Sequence, residues 1–193
     1  MKAVANAAIL DAAEKVIAEQ GYDGARMEEI AKQAGMAVGT VYNYFADRDA
    51  LMVALRDERK RQLHEALDRA LEESEGEKFE EQLRGYLRAM LGFYESHRQL
   101  FILLLSSAEG RLKVQRSAPE MLKEIYGTAE KVVRAGIKQG ALRTEYAEMY
   151  PPLLFSMVRG TSFFELHRKR SAPLTDLVEP LVDLFLHGAE KHR

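Results

Sequence analysis

The chain has 193 residues, no cysteine and a formal net charge of −2, with 47% hydrophobic and 30% charged residues. That apolar content over this length supports a sizeable core in one large or two small domains and excludes disorder as the main state. The absence of cysteine excludes disulfide scaffolds and thiolate metal sites; with no signal-like N-terminal run and no stretch near the roughly 18 apolar residues of a membrane helix, a cytoplasmic location is expected.

Residues 4–20 read as an amphipathic helix with Ile9, Ala12, Ala13, Val16 and Ile17 on one stripe and Gly21 as its stop. Asp23-Gly24 is a turn signal, and Tyr22 beside it is expected in the core. Residues 26–51 then read as two short helices joined by a tight turn. In the first, Met27, Ile30, Ala31 and Ala34 share a face while Glu28, Glu29, Lys32 and Gln33 face water. Gly35 closes that helix, and Met36 packs back against the pair. The second helix, about residues 38–45, is too short to stand alone and is anchored inward by Val41 and Phe45. Gly39, Thr40, Asn43 and parts of Tyr42 and Tyr44 are left for the outer face. Small, hydroxyl- and amide-bearing groups on a helix supported from behind suit a DNA major groove. Asn43 can pair with adenine, and Thr40 can meet a phosphate or a thymine methyl. This is the geometry of a helix-turn-helix.

The run IAKQAGMAVGTVYNYFADRDAL closely resembles the DNA-binding region of the TetR family of bacterial transcriptional repressors, which share a pattern like IAxxAGVSxGTxYxYFxxKxxL. Ile30, Ala31, Ala34, Gly35, Gly39, Thr40, Tyr42, Tyr44, Phe45 and Leu51 fall in register. The resemblance implies that Thr40, Tyr42 and Tyr44 lie at the DNA backbone and that Val38, Gly39 and Asn43 lie near base edges. It further implies that Arg48, where the family usually has lysine, reaches a phosphate. Three positions depart from the pattern. Ala37 replaces the usual serine, and loss of such a cap typically costs about 1 kcal/mol. Arg26 replaces a threonine that begins the preceding helix, exchanging a cap for a cation that can meet phosphate. Val38 replaces a frequently polar residue and reads either a thymine methyl or nothing.

Residues 1–48 hold five Lys/Arg against seven Asp/Glu, so the usual basic footprint of a DNA binder is missing. DNA binding must then rest on placement, through Arg26, Arg48 and a helix N-terminus, doubled in a dimer.

From residue 49 to about 73 a long helix is expected, with Leu51, Leu55, Leu63, Leu67 and Leu71 buried and the block RDERKRQ solvated. As the one helical element joining the two halves, it is the candidate lever between them. SEGEK at residues 74–78 breaks it. Further helices are expected over residues 79–95, 97–108 and 120–139, with a polar loop at 109–119 and Gly140 as a cap. Residues 149–167, with Pro151 and Pro152 at an irregular first turn, and residues 174–189 are apolar on more than one side. Such helices need two partners, one in their own domain and one in a second subunit, giving an intersubunit four-helix bundle. Leu153, Met157, Phe164, Leu174, Leu177, Val178, Leu181 and Phe185 are the candidate dimer contacts.

A small-molecule cavity in the C-terminal part would draw on Tyr86, Met90, Phe93, Tyr94, His97, Phe101, Leu104, Tyr126, Phe155, Arg159, Phe163 and His167. The same residues also suit an ordinary aromatic core. Five scattered histidines show no paired metal spacing, and no nucleophile elbow, phosphate loop or dinucleotide fingerprint occurs. Neither metal, cofactor nor enzyme activity is expected. The expectation is therefore an all-α chain: a three-helix bundle with a helix-turn-helix (residues 1–48), followed by a larger helical ligand-binding and dimerisation domain (residues 49–193). It would act as a homodimeric repressor, released from a palindromic DNA operator by a small-molecule effector. The alternatives are an activator, or a helical dimeric regulator or interaction protein without such a ligand.

Overall fold

Apolar residues at three- and four-residue spacing make every regular element helical among the described residues, 2–106, 118–168 and 172–188 of a computed structural model. Helix α1 (Lys2–Gly24) is interrupted at Gly21, whose φ of 75° is open to glycine and strained for most other residues. Helices α2 (Met27–Gln33) and α3 (Val38–Tyr42) follow, then the long α4 (Arg48–Glu73). Ile9, Ala13, Val16, Ile30, Ala31, Val41, Leu51 and Leu55 meet in one buried cluster.

The chain divides into two compact units. The first holds residues 1–62 and 99–106, the second residues 63–98 and the described part of 107–193. The unit that carries α2 and α3 thus extends past residue 48, along α4 to Gln62. It also takes in most of α6 (Arg98–Ser106), whose Leu100 is buried in the same cluster as Ile9 and Leu55.

In the second unit, α5 (Phe79–Ser96), α7 (Ala118–Lys138), α8 (Tyr150–His167) and α9 (Val178–His187) pack together, with 3-10 turns at Thr144–Tyr146 and Leu174–Leu177. Pro151 and Pro152 sit in the first turn of α8, where a missing N–H costs nothing. Lys78 does not cap α5 with its side chain. Gln139 does so from a distance, its Oε1 accepting from the Phe79 N–H at 2.7 Å and its Nε2 donating to the Glu77 carbonyl at 3.1 Å. Gln139 can reach because Gly140 (φ 71°) reverses the chain and Gly136 lets the Phe79 ring close in; a Cβ there would stand 2.7 Å from the ring.

Several expectations are corrected. The helix expected over residues 174–189 is a 3-10 turn followed by α9, and Ala189 lies outside the described residues, as does most of the expected 109–119 loop; Pro119 itself belongs to the first turn of α7. Tyr22 is half-buried rather than in the core, because Arg48 covers its ring. The RDERKRQ block is not wholly solvated. Arg59 within it is only 7% exposed, for it continues the buried leucine row of α4.

Candidate nucleic-acid interface

The turn between α2 and α3 is closed by two reverse hydrogen bonds. The Gly35 N–H donates to the Lys32 carbonyl at 3.1 Å and the Met36 N–H to the Ala31 carbonyl at 2.9 Å, with Gly35 at φ 66°. This is a Schellman closure, and Met36 completes it by packing on the core as expected. The chain re-enters helix at once through Ala37, which is extended and offers no side-chain cap. Val41 (0% exposed) and Phe45 (7%) fix α3 from behind.

Gly39, Thr40, Tyr42 and Asn43 are consequently exposed together on the far side of α3. Val38 and Tyr44 are shared with the interior, since both pack partly against the core cluster. A Cβ built on Gly39 meets nothing within 4 Å. The fold itself therefore gives no steric reason for glycine here.

Arg26 stands exposed at the N-terminus of α2, without a side-chain cap bond. Arg48 is held differently. Its Nη2 donates to the Tyr22 carbonyl at 2.6 Å and its guanidinium lies 4.2 Å from the centre of the Tyr22 ring, while Nε is buried with no hydrogen-bond partner among the described residues. The residue expected to reach outward is thus also a tie between the start of α4 and the turn after α1.

A second arginine had escaped sequence reading. Arg59 is bound by Asp11 and Glu14 of α1 at 2.6 and 2.7 Å. Its signal was present in the sequence as a cation at the centre of the row Leu51, Leu55, Arg59, Leu63, Leu67, each four residues from the last. The pairing also takes two carboxylates out of the acidic excess counted over residues 1–48.

The remaining candidates fall into distinct environments. Tyr86, Met90, Tyr94 and Phe155 are buried in the second unit. The Tyr86 hydroxyl stands 3.4 Å from Thr128 Oγ1, and the rings of Tyr126 and Phe155 meet edge-on at 5.7 Å. Burial raises the Tyr86 hydroxyl to about 12, against a smaller lowering by the Thr128 hydrogen bond, and pushes Tyr94 up further. Phe93 and His97 form a half-buried ring pair at 4.4 Å. Arg159 and Phe163 are exposed, Phe101 belongs to the first unit, and the side chains of Leu104 and His167 lie outside the described residues. An open-sided pocket of ≈650 Å³ between α4, α5 and α7 is lined by Asp68, Glu72, Gln82, Lys131, Lys138 and Gln139 among others, and by none of the ligand candidates.

Of the dimer candidates, Leu153 (49% exposed) and Phe164 (57%) present open apolar surface on α8, with Met157 half-buried between them. Leu177 and Phe185 are half-buried, Phe185 against Tyr150 at 5.8 Å. Leu174, Val178 and Leu181 are each at most 3% exposed, because this segment turns its apolar side onto α5 within its own unit.

A short polar helix, fixed from behind and delivered by a glycine-closed turn, defines a helix-turn-helix DNA reader, and α4 runs on from it into the second helical unit. Residues 9–55 match the family model described as bacterial regulatory proteins, tetR family. The chain is 28% identical over 137 residues to the fatty acid metabolism regulator protein of Bacillus subtilis strain 168, covering 70% of this chain and 69% of that protein. It is similar to the solved structure of the fatty acid degradation regulator FadR from Bacillus halodurans, with a TM-score of 0.77, 26% identity, and 95% of this chain and 98% of that chain covered. FadR from Bacillus subtilis in complex with stearoyl-CoA superposes equally well, with a TM-score of 0.77, 25% identity and the same coverage. Residues 9–55 thus carry a DNA-binding region of the tetR type, and the chain as a whole shares the fold of these solved regulators. It is a DNA-binding transcriptional regulator. No described helix is long and apolar enough to cross a membrane.

Proposed function

We propose that this chain is a cytoplasmic, homodimeric repressor that leaves a palindromic operator when a long-chain fatty acyl-CoA binds its second unit. The observation that carries the reading is its likeness, over 95% of its length, to a regulator solved with stearoyl-CoA. The interior of the second unit is chemically suited to an acyl chain, being built from Tyr86, Met90, Tyr94, Phe155 and their aliphatic neighbours. In this reading residues 1–48 read DNA and residues 49–193 bind ligand and partner. Thr40, Tyr42 and Tyr44 meet the DNA backbone, Gly39, Asn43 and Val38 face base edges, and Arg26 and Arg48 meet phosphates. Leu153, Met157 and Phe164 pair two copies, setting recognition helices roughly 34 Å apart for half-sites one helical turn apart.

The test is operator binding by the purified protein, on DNA from its own promoter region, with stearoyl-CoA, free stearate or coenzyme A alone. The expected result is at least about a ten-fold loss of affinity with stearoyl-CoA, equivalent to about 1.4 kcal/mol of coupling, and none with coenzyme A. Unchanged affinity with acyl-CoA of every chain length would leave a DNA-binding dimer without this effector. Failure to bind any promoter DNA at low salt would remove the repressor reading itself.

A further inference from the structure

The inward row of α4 runs Leu51, Leu55, Arg59, Leu63, Leu67, and these five residues are 0, 1, 7, 7 and 0% exposed. The first compact unit ends at Gln62 and the second begins at Leu63. A buried cation therefore replaces a leucine in the last inward position before α4 leaves the DNA-reading unit. All three guanidinium nitrogens are engaged. Nη2 donates to Asp11 Oδ1 at 2.6 Å, Nε to Glu14 Oε2 at 2.7 Å, and Nη1 to Gln62 Oε1 at 3.1 Å. Asp11 and Glu14 lie one turn apart on α1, interleaved with Leu10, Ala13 and Ile17 of the core.

Apolar residues in place of Arg59 and its largely buried partner Glu14 together would satisfy burial about as well, because desolvating a charged pair offsets most of its attraction. Net stability therefore does not account for an arginine here. A planar fork with donors in fixed directions does what an aliphatic group cannot. It fixes the rotation and the axial register of α1 on α4, where apolar side chains would tolerate sliding. Helix α2 packs on α1 and α3 on α2 within the same core, so whatever register α1 holds on α4 is passed through α2 to the exposed face of α3.

We infer that Arg59 is a positioning residue for DNA reading: it locks α1, and with it the helix-turn-helix, to α4, so that the distance between two recognition helices in the dimer is fixed rather than elastic. The inference rests on the operator-binding dimer proposed above. It requires no particular effector.

The test uses full-length protein and an operator selected by the wild-type dimer from random DNA, together with the same operator lengthened or shortened by one base pair between half-sites. Wild type is expected to discriminate against the altered spacings by about ten-fold or more, about 1.4 kcal/mol. Arg59→Met, made together with Glu14→Leu so that no largely buried carboxylate is left without its cation, should remain folded and dimeric, yet distinguish the spacings by less than about three-fold, about 0.7 kcal/mol. Arg59→Lys, which keeps charge without the fork, should fall between. Arg56→Met removes an α4 arginine paired, among the described residues, only with its neighbour Asp57 and should match wild type. Retained spacing discrimination in a folded dimer carrying Arg59→Met and Glu14→Leu would overturn the inference. Should that variant fail to fold, Glu14→Leu alone, which removes the acceptor of the Arg59 Nε bond and leaves the Asp11 bond in place, decides the matter, since unchanged discrimination there is equally fatal. A wild-type protein that selects no DNA would overturn the underlying function instead, a result distinct from either.

Discussion

Arg48, at the first position of α4, lies across the ring of Tyr22 at 4.2 Å and donates to the carbonyl of the same residue at 2.6 Å. One side chain thus satisfies a turn carbonyl and caps an aromatic face, joining the end of α1 to the start of α4. A stacked cation of this kind is worth about 0.5–2 kcal/mol. Tyr22→Leu should therefore lower the melting temperature by a few degrees and weaken operator binding, although Tyr22 is not placed as a DNA contact. Arg48→Lys should do likewise while keeping the charge. Operator titrations of both variants check this, and wild-type affinity in a destabilised Tyr22→Leu would reduce the tie to a purely structural role.

The two glycines around the recognition helix separate backbone need from external need. Gly35 holds φ 66°, so Gly35→Ala is expected to destabilise by about 1 kcal/mol or more, read as a lower denaturant midpoint. Gly39 has ordinary helical geometry and open space where a Cβ would go. Gly39→Ala should leave stability unchanged or raise it by about 0.5–1 kcal/mol, while weakening DNA binding because the new methyl would stand at the proposed DNA interface. Wild-type DNA affinity in that variant would remove Gly39 from the interface.

Asn43 and Tyr42 are both exposed on α3 but are assigned different work. Asn43→Ala should relax base preference at one position per half-site by about 1–3 kcal/mol, seen by comparing selected and substituted operators. Tyr42→Phe removes only a hydroxyl and should weaken all sequences alike. Melting temperatures should not move for either, since neither side chain supports the core. Equal losses on every sequence for Asn43→Ala would assign it to the backbone instead.

Buried phenols predict an alkaline limit. The Tyr86 hydroxyl is raised to about 12 by burial, whereas in the unfolded chain it titrates near 10. The folded state holds more protons between these values, so stability is fully present below about pH 10 and falls as pH rises toward 12. Tyrosinate absorbance of the eight tyrosines should therefore rise in two phases, the later one coinciding with loss of helix. Tyr86→Phe should shrink that later phase, and a single early phase with the helices intact would contradict the burial argument.

Phe164 and Leu153 carry apolar surface that no described neighbour covers fully. Phe164→Arg should leave the monomer's melting behaviour close to wild type yet shift sedimentation toward monomer and lower operator affinity, since one recognition helix binds far more weakly than two. A variant that sediments as wild type would move the dimer contact elsewhere.

Local chemistry was legible from the sequence because it depends on near neighbours. Gly35 after an apolar row, Val41 and Phe45 four residues apart, and Ala37 in place of a capping serine state their conformations within one or two helical turns. The inward stripes of α1, α2 and the start of α4 follow from the same 3.6-residue period. What the sequence left open depends on partners tens of residues away. Arg59 belongs to a charged block by composition, and only the approach of Asp11 and Glu14, 48 and 45 residues earlier, makes it a buried tie. Tyr22 looked like a core residue until Arg48 was brought over its ring. Leu174, Val178 and Leu181 had the hydrophobicity of an interface, but packing assigned them to the interior and left Leu153 and Phe164 outside. Periodicity states which side of a helix is apolar. It does not state which neighbour fills that side, and that choice is made only when the helices are assembled in space.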